Sequence, residues 1–210
     1  MTRAYPGTPF WVKLTIVAAL AAALAWWVAD WHDRRGNERR LSAIASQIAE
    51  RDVRVNCPGP LGRLLGWDIV EGSVRFGRDG NPADETKIRR QSCAELDALA
   101  EGRREKELEC IGRTAIACGR HGRETVMALD VLAHESWHLR GVIDEAETEC
   151  RSLQTIAWTA QRLGATAAQG DAMALAQYTG AYLELPEAYH SGACTAGGAL
   201  DMRPGDERFP

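Results

Sequence analysis

The chain has 210 residues with a formal net charge of -4, room for one compact domain with a real core once an apolar N-terminal stretch is set aside. The charge is slightly acidic and spread without long like-charge runs, and no nucleic-acid-reading motif is present, so nucleic acid is excluded as a partner. Six cysteines (Cys57, Cys93, Cys110, Cys118, Cys150, Cys194) stand at wide spacing with no C-x-x-C pair, which fits disulfides in an oxidising compartment better than a cysteine zinc cluster.

Residues 1–9 read as a short tail. From Phe10 to Trp31 the chain is apolar apart from Lys13, Thr15 and Asp30, and as a helix it spans about 33 Å, enough to cross a bilayer. Phe10 and Trp11 at one end, with Trp26, Trp27 and Trp31 at the other, look like interfacial aromatic belts and predict a retained anchor over residues 10–31. Read instead as an export signal, the stretch offers Arg3 and Lys13 as its charged leader and Ala23-Leu24-Ala25 as a small-residue cleavage site. Arg34, Arg35, Arg39 and Arg40 pull the following chain toward the cytoplasm by the positive-inside rule. The cysteines argue the opposite, and they set the expected orientation, with the domain extracytoplasmic.

A juxtamembrane helix is expected within 32–52, with Asn37 as its N-cap and Leu41, Ile44, Ala45, Ile48 and Ala49 at helical spacing. Val53 to Cys57 alternates like a short strand, Pro58-Gly59-Pro60 breaks it, and Trp67 to Phe76 reads as a second strand around Gly72. Asp79-Gly80-Asn81-Pro82 reads as a turn. Ser92, with Glu95 three residues on, predicts a helix to about Leu108. Cys110 and Cys118 flank a short segment that a disulfide would close into a loop.

After the Gly119-Arg120-His121-Gly122 turn, a largely apolar helix from Glu124 carries His134-Glu135-Ser136-Trp137-His138 and stops at Gly141. Histidines at i and i+4 project from one helical face and can present two imidazole nitrogens to one metal ion. Glu135 between them is free to act as general base on a water that the metal activates. Without a metal, the two histidines would be satisfied core residues.

A catalytic zinc takes three protein ligands, and Gly141 leads to two candidates. With Asp144 as the third, the stretch becomes H-E-x-x-H-x-x-G-x-x-D, which resembles the metzincin pattern with Asp in place of the third His, as in snapalysin-type peptidases. That family expects a methionine turn, but Met173 falls in a predicted helix and Met202 in the tail. Alternatively, Asp144 caps a new helix, and Asp144-Glu145-Ala146-Glu147-Thr148-Glu149 looks like the ligand motif of the thermolysin-type (gluzincin) peptidases. The resemblance then implies Glu145 as third zinc ligand and Glu149, one turn on, as the acceptor that holds the His134 ring. It also implies an unusually short hairpin, because that family places its glutamate much further downstream.

The helix continues through Cys150 to Leu163 and ends at Gly164. Thr166-Ala167-Ala168-Gln169 is a capping box that opens a last helix to about Leu185. Beyond it, Tyr189 and His190 are candidate donors to the oxyanion that develops at an attacked carbonyl. A Cys150 to Cys194 bridge would carry their loop toward the metal, and an ordinary surface loop is the plainer reading.

The expectation is an α+β, predominantly helical, zincin-like single domain over 53–196, with a small sheet from 53–76, one preceding transmembrane helix and an irregular tail over 197–210. The expected function is zinc-dependent hydrolysis of a peptide or protein substrate. The alternative is a membrane-tethered structural or peptide-binding protein whose metal site is not catalytic. An open metal position beside a groove favours the first, and an enclosed site holding both Asp144 and Glu145 favours the second.

Overall fold

The computed structural model describes residues 10–59 and 71–205. The last residue of the expected Pro58-Gly59-Pro60 break, the first part of the Trp67 to Phe76 strand, the tail 1–9 and the end of the C-terminal tail lie outside the described residues. Two compact units are present, Met1–Gly36 and Asn37–Pro210. Among the described residues, one helix, α1 (Phe10–Ala49), is long and apolar enough to cross a membrane. Within the first unit its large apolar side chains, among them Leu14, Leu20 and Leu24, are exposed.

In the second unit, residues 37–49 of α1 are part of the core: Leu41, Ile44, Ala45 and Ile48 are buried. Asn37 does not cap a helix. It sits within α1, buried, with Nδ2 donating to the Cys93 carbonyl at 2.9 Å, so a tertiary partner replaces the capping role.

The neighbouring face of α1 edges a sheet. Backbone amides of Val53, Val55 and Cys57 donate to Ser46 Oγ, Ser42 Oγ and Glu38 Oε1 at 3.0, 2.9 and 3.0 Å. Every fourth helical residue meets every second strand residue because four helical steps rise about 6.0 Å and two strand steps about 6.6 Å. The helix thus does for β1 (Arg54–Asn56) what a neighbouring strand would do.

The sheet has the order β1-β3-β2, with β2 at Gly72–Phe76 and β3 at Pro82–Ile88. β1 runs parallel to β3 and β2 antiparallel to it. The expected turn at Asp79-Gly80-Asn81-Pro82 connects β2 and β3, with Gly77 N donating to Asn81 O at 2.8 Å and Gly80 at φ 78°. The central strand β3 has no sequence signature of a strand, because its Asp84, Glu85 and Lys87 read as polar surface and only Thr86 and Ile88 are buried.

The single helix expected from Ser92 to Leu108 is two: α2 (Arg90–Ala100) and α3 (Glu105–Thr114). The chain turns at Gly102, φ 72°, and Arg104 folds back onto Glu95 with contacts of 2.7 and 3.0 Å. Ser92 caps nothing; it lies inside α2 and its Oγ donates to Glu71 at 3.2 Å. The central helix α4 (Gly119–Arg140) begins at Gly119 rather than Glu124 and packs against β2, β3, α2 and α5 (Glu145–Arg162). The Thr166 capping box opens α6 (Ala167–Thr179), which stops at Gly180 and gives way to a 3-10 turn at Ala181–Glu184, short of the expected Leu185. Met173 is buried inside α6.

Disulfides join Cys57 to Cys93, Cys110 to Cys118 and Cys150 to Cys194, and no cysteine is free. The first ties the end of β1 to α2; the last ties α5 to the loop that contains Tyr189.

Candidate metal centre

Local backbone geometry sets the histidine rings. Gly141, φ 107°, ends α4 with its N–H on His138 O at 2.9 Å and the Val142 N–H on Trp137 O at 3.2 Å, the paired bonds of a Schellman turn. That turn brings the Val142 carbonyl to His138 Nδ1 at 2.7 Å. A carbonyl only accepts, so Nδ1 carries the proton and Nε2 keeps its lone pair. His134 is held in the same way, with Nδ1 at 2.9 Å from Glu149 Oε2.

The freed nitrogens converge. His134 Nε2 and His138 Nε2 lie 3.0 Å apart, and Glu145 Oε2 stands 3.2 Å from the first and 3.4 Å from the second. Zinc bonds of about 2.0–2.2 Å at tetrahedral angles separate ligand atoms by about 3.3–3.5 Å, so these three donors stand nearly where such a shell would put them. The residues present fit a zinc ion.

Asp144 is elsewhere: it N-caps α5, its side chain accepting from Glu147 N at 2.8 Å. The short hairpin between α4 and α5 brings Glu145 rather than Asp144 beside the histidines. Glu147 pairs with Arg151 at 2.8 Å, away from the centre.

Glu135 is buried between α4 and the sheet, with Oε2 3.4 Å from Thr86 Oγ1. Burial pushes its carboxyl up to about 7, against the lowering effects of His134 and Thr86. For His134, burial pulls downward, but the Glu149 hydrogen bond and the charges of Asp130, Glu149 and Glu135 outweigh it and raise the imidazole to about 9. Burial and the charge on His134 lower His138. The metal-free centre thus holds its proton on His134, and a cation arriving there must displace it.

The centre opens onto a cleft of about 330 Å³ with α4 as its floor, Gly72, Val74 and Phe76 of β2 as one wall, and Ile143, Glu145 and Tyr189 at its mouth. The Glu145 side chain is 43% exposed, so solvent reaches the donor set. Tyr189 leans over His134 with ring centroids 6.1 Å apart, and burial followed by the charges of Glu145, Glu149 and Glu135 raises its phenol above the ordinary value. It remains a donor at neutral pH. His190 is not brought to the cleft: its Nε2 contacts the Tyr182 carbonyl at 2.8 Å and its ring packs on Tyr182, fixing the loop instead.

Four contributors escape a motif reading. Gly72 lets β2 pass over Glu135, where an added Cβ would stand 2.4 Å from Oε1; a glycine inside a strand pattern is itself a signal of such an approach. Thr86, the Val142 carbonyl and Asp130 leave no comparable signal, because each acts through a contact between distant segments or through the backbone.

A second group, Glu95, His121 and Glu124, also brings possible metal donors together, His121 Nδ1 lying 3.0 Å from Glu95 and 3.4 Å from Glu124. Both Glu95 oxygens are already paired with Arg104, and a cation there would have to strip a largely buried guanidinium of its partner. The chain matches no protein-family model, no curated protein and no solved structure.

Proposed function

We propose that the chain is a membrane-anchored zinc metallopeptidase with a zincin-like catalytic domain. The observation that carries this reading is the donor set of His134 Nε2, His138 Nε2 and Glu145 Oε2, mutually 3.0–3.4 Å apart at the floor of an open cleft. A purely structural metal site would be enclosed by its fourth ligand, whereas here the remaining side faces the cleft.

When bound, zinc supplies Lewis acidity that polarises a substrate carbonyl and makes water acidic near neutral pH. Glu135 takes the proton of the attacking water and passes it to the leaving amine, from its place in the cleft beside the two histidines. Tyr189 donates to the carbonyl oxygen as charge develops there. Glu149 and the Val142 carbonyl hold the two imidazoles by their Nδ1 atoms. The substrate is an extended peptide or protein segment laid along β2, whose outer edge carries no strand among the described residues.

The apolar part of α1 is the anchor, and the three disulfides support a catalytic domain in an oxidising, extracytoplasmic compartment. Purified full-length chain is expected to contain one zinc per molecule and to cut an unfolded protein substrate. Glu135→Gln should retain the zinc and lose about 10²–10⁴-fold in rate. Absence of metal, or an unchanged rate in Glu135→Gln, would overturn the proposal.

A further inference from the structure

The α4–α5 hairpin carries a ladder of polar pairs. On α4 stand Asp130, His134 and His138, each one turn from the next; on α5 stand Glu145, Glu149 and Ser152, on a common face. His138 meets Glu145 at 3.4 Å and His134 meets Glu149 at 2.9 Å. The third rung is Asp130 with Ser152, whose Oγ donates to the Asp130 carbonyl at 3.0 Å and to its Oδ1. Gln177 from α6 completes it, Nε2 donating to Asp130 Oδ2 at 2.9 Å.

The first two rungs border the cleft and the third lies in the interior, with Asp130, Ser152 and Gln177 all buried. A buried carboxyl is costly unless its oxygens are met, and here each one is. In return the arrangement tolerates one register. Sliding α5 by one residue along α4 would swing Ser152 about 100° around its helix and leave an Asp130 oxygen without a donor. The same slide would carry Glu145 and Glu149 off the imidazoles. Glu149 depends on this register, because its Oε1 is buried with no hydrogen-bond partner among the described residues and Oε2 alone holds His134.

We propose that Asp130 is a positioning residue for the metal centre: clasped by Ser152 and Gln177, it fixes the register of α5 on α4 and thereby the separation of the His134, His138 and Glu145 donor atoms. The inference rests on the metal reading of those three residues.

The test uses the full chain, with zinc affinity from chelator competition, the d–d spectrum of the cobalt-substituted protein, and thermal melting. Ser152→Ala removes one clasp and should weaken zinc binding about 10- to 100-fold, with an altered cobalt spectrum. Gln177→Met should act in the same direction, and it carries the test alone if Ser152→Ala does not fold. Asp130→Asn keeps both contacts once the Gln177 amide turns over, and should weaken zinc binding less than Ser152→Ala does. Lower melting temperatures with unchanged affinity and spectrum would reduce Asp130 to a packing role and overturn the proposal. So would an Asp130→Asn loss as large as that of Ser152→Ala, which would make charge rather than register the cause. A wild-type chain that binds no zinc overturns the metal reading and this inference together; wild-type binding matched by every variant overturns this inference alone.

Discussion

Gly72 and Glu135 share a space too small for a β-carbon: built onto Gly72, it would stand 2.4–2.7 Å from the Glu135 Oε1, Cγ and Cδ atoms. Strand β2 and helix α4 can approach this closely only because residue 72 has no side chain. Gly72→Ala must displace either the strand or the carboxylate. Since a misplacement of about 1 Å can cost about 10²-fold, hydrolysis should fall by that order while zinc affinity stays near wild type, as read by steady-state rates beside chelator competition. An unchanged rate would show that Glu135 does not act from this position.

Asp144 and Glu145 are neighbours with separable roles. Asp144→Ala removes the cap of α5 and should lower stability by about 1 kcal/mol with zinc retained. Glu145→Ala should leave the cap in place and cost most of the zinc affinity. Metal content and thermal melting on both variants distinguish the two, and zinc loss confined to Asp144→Ala would restore the metzincin-type assignment.

The acid groups under the centre give the metal-free protein a definite pH dependence. In the fold, burial raises Asp130 from 3.8 to about 8 and Glu135 from 4.5 to about 7, and His134 rises from 6.5 to about 9 because Glu149 and its acidic neighbours outweigh its burial. Between about pH 5 and 9 the folded chain therefore binds more protons at these groups than the unfolded chain. The stabilising protonation of His134 is complete below about 6.5 and lost as pH rises through about 9, and the cost of ionising buried Asp130 and Glu135 grows over the same range. The melting temperature in a chelator should fall from pH 5 to pH 9. Saturating zinc should stabilise more at higher pH, because it displaces the His134 proton. A chelator-treated protein that gains stability across this range would contradict the assignment.

Tyr189 is placed by a covalent tether, since Cys194 of its loop is bonded to Cys150, the residue after Glu149. Tyr189→Phe should lower kcat by about 10²-fold with KM and zinc content nearly unchanged. Cys194→Ser should lower kcat in the same direction and also cost about 2–4 kcal/mol of stability. A full rate in Tyr189→Phe would remove the phenol from the reaction.

Features governed by local rules were legible in the sequence. The H-E-x-x-H spacing, the stop at Gly141, the Asp144 cap, the Thr166 capping box and the apolar N-terminal stretch each follow from a few adjacent residues. What was not legible depended on partners far away in the chain. Asn37 reads as a cap until Cys93 is placed beside it, and β3 reads as surface until β1 and β2 flank it. Ser92 to Leu108 reads as one helix until Arg104 turns back to Glu95. At the metal centre, the histidines and Glu135 announce themselves by spacing, while Gly72, Thr86 and Asp130 matter through contacts 49 to 63 residues away or across helices.

The ladder from Glu38, Ser42 and Ser46 to the amides of β1 has a consequence for traffic at the sheet. With that margin sealed by a helix, and β3 enclosed between its neighbours, the outer margin of β2 is the one place among the described residues where another chain can add as a strand. That margin borders the cleft over Glu135. Among the described residues, a strand added at that margin would lie beside the buried carboxylate.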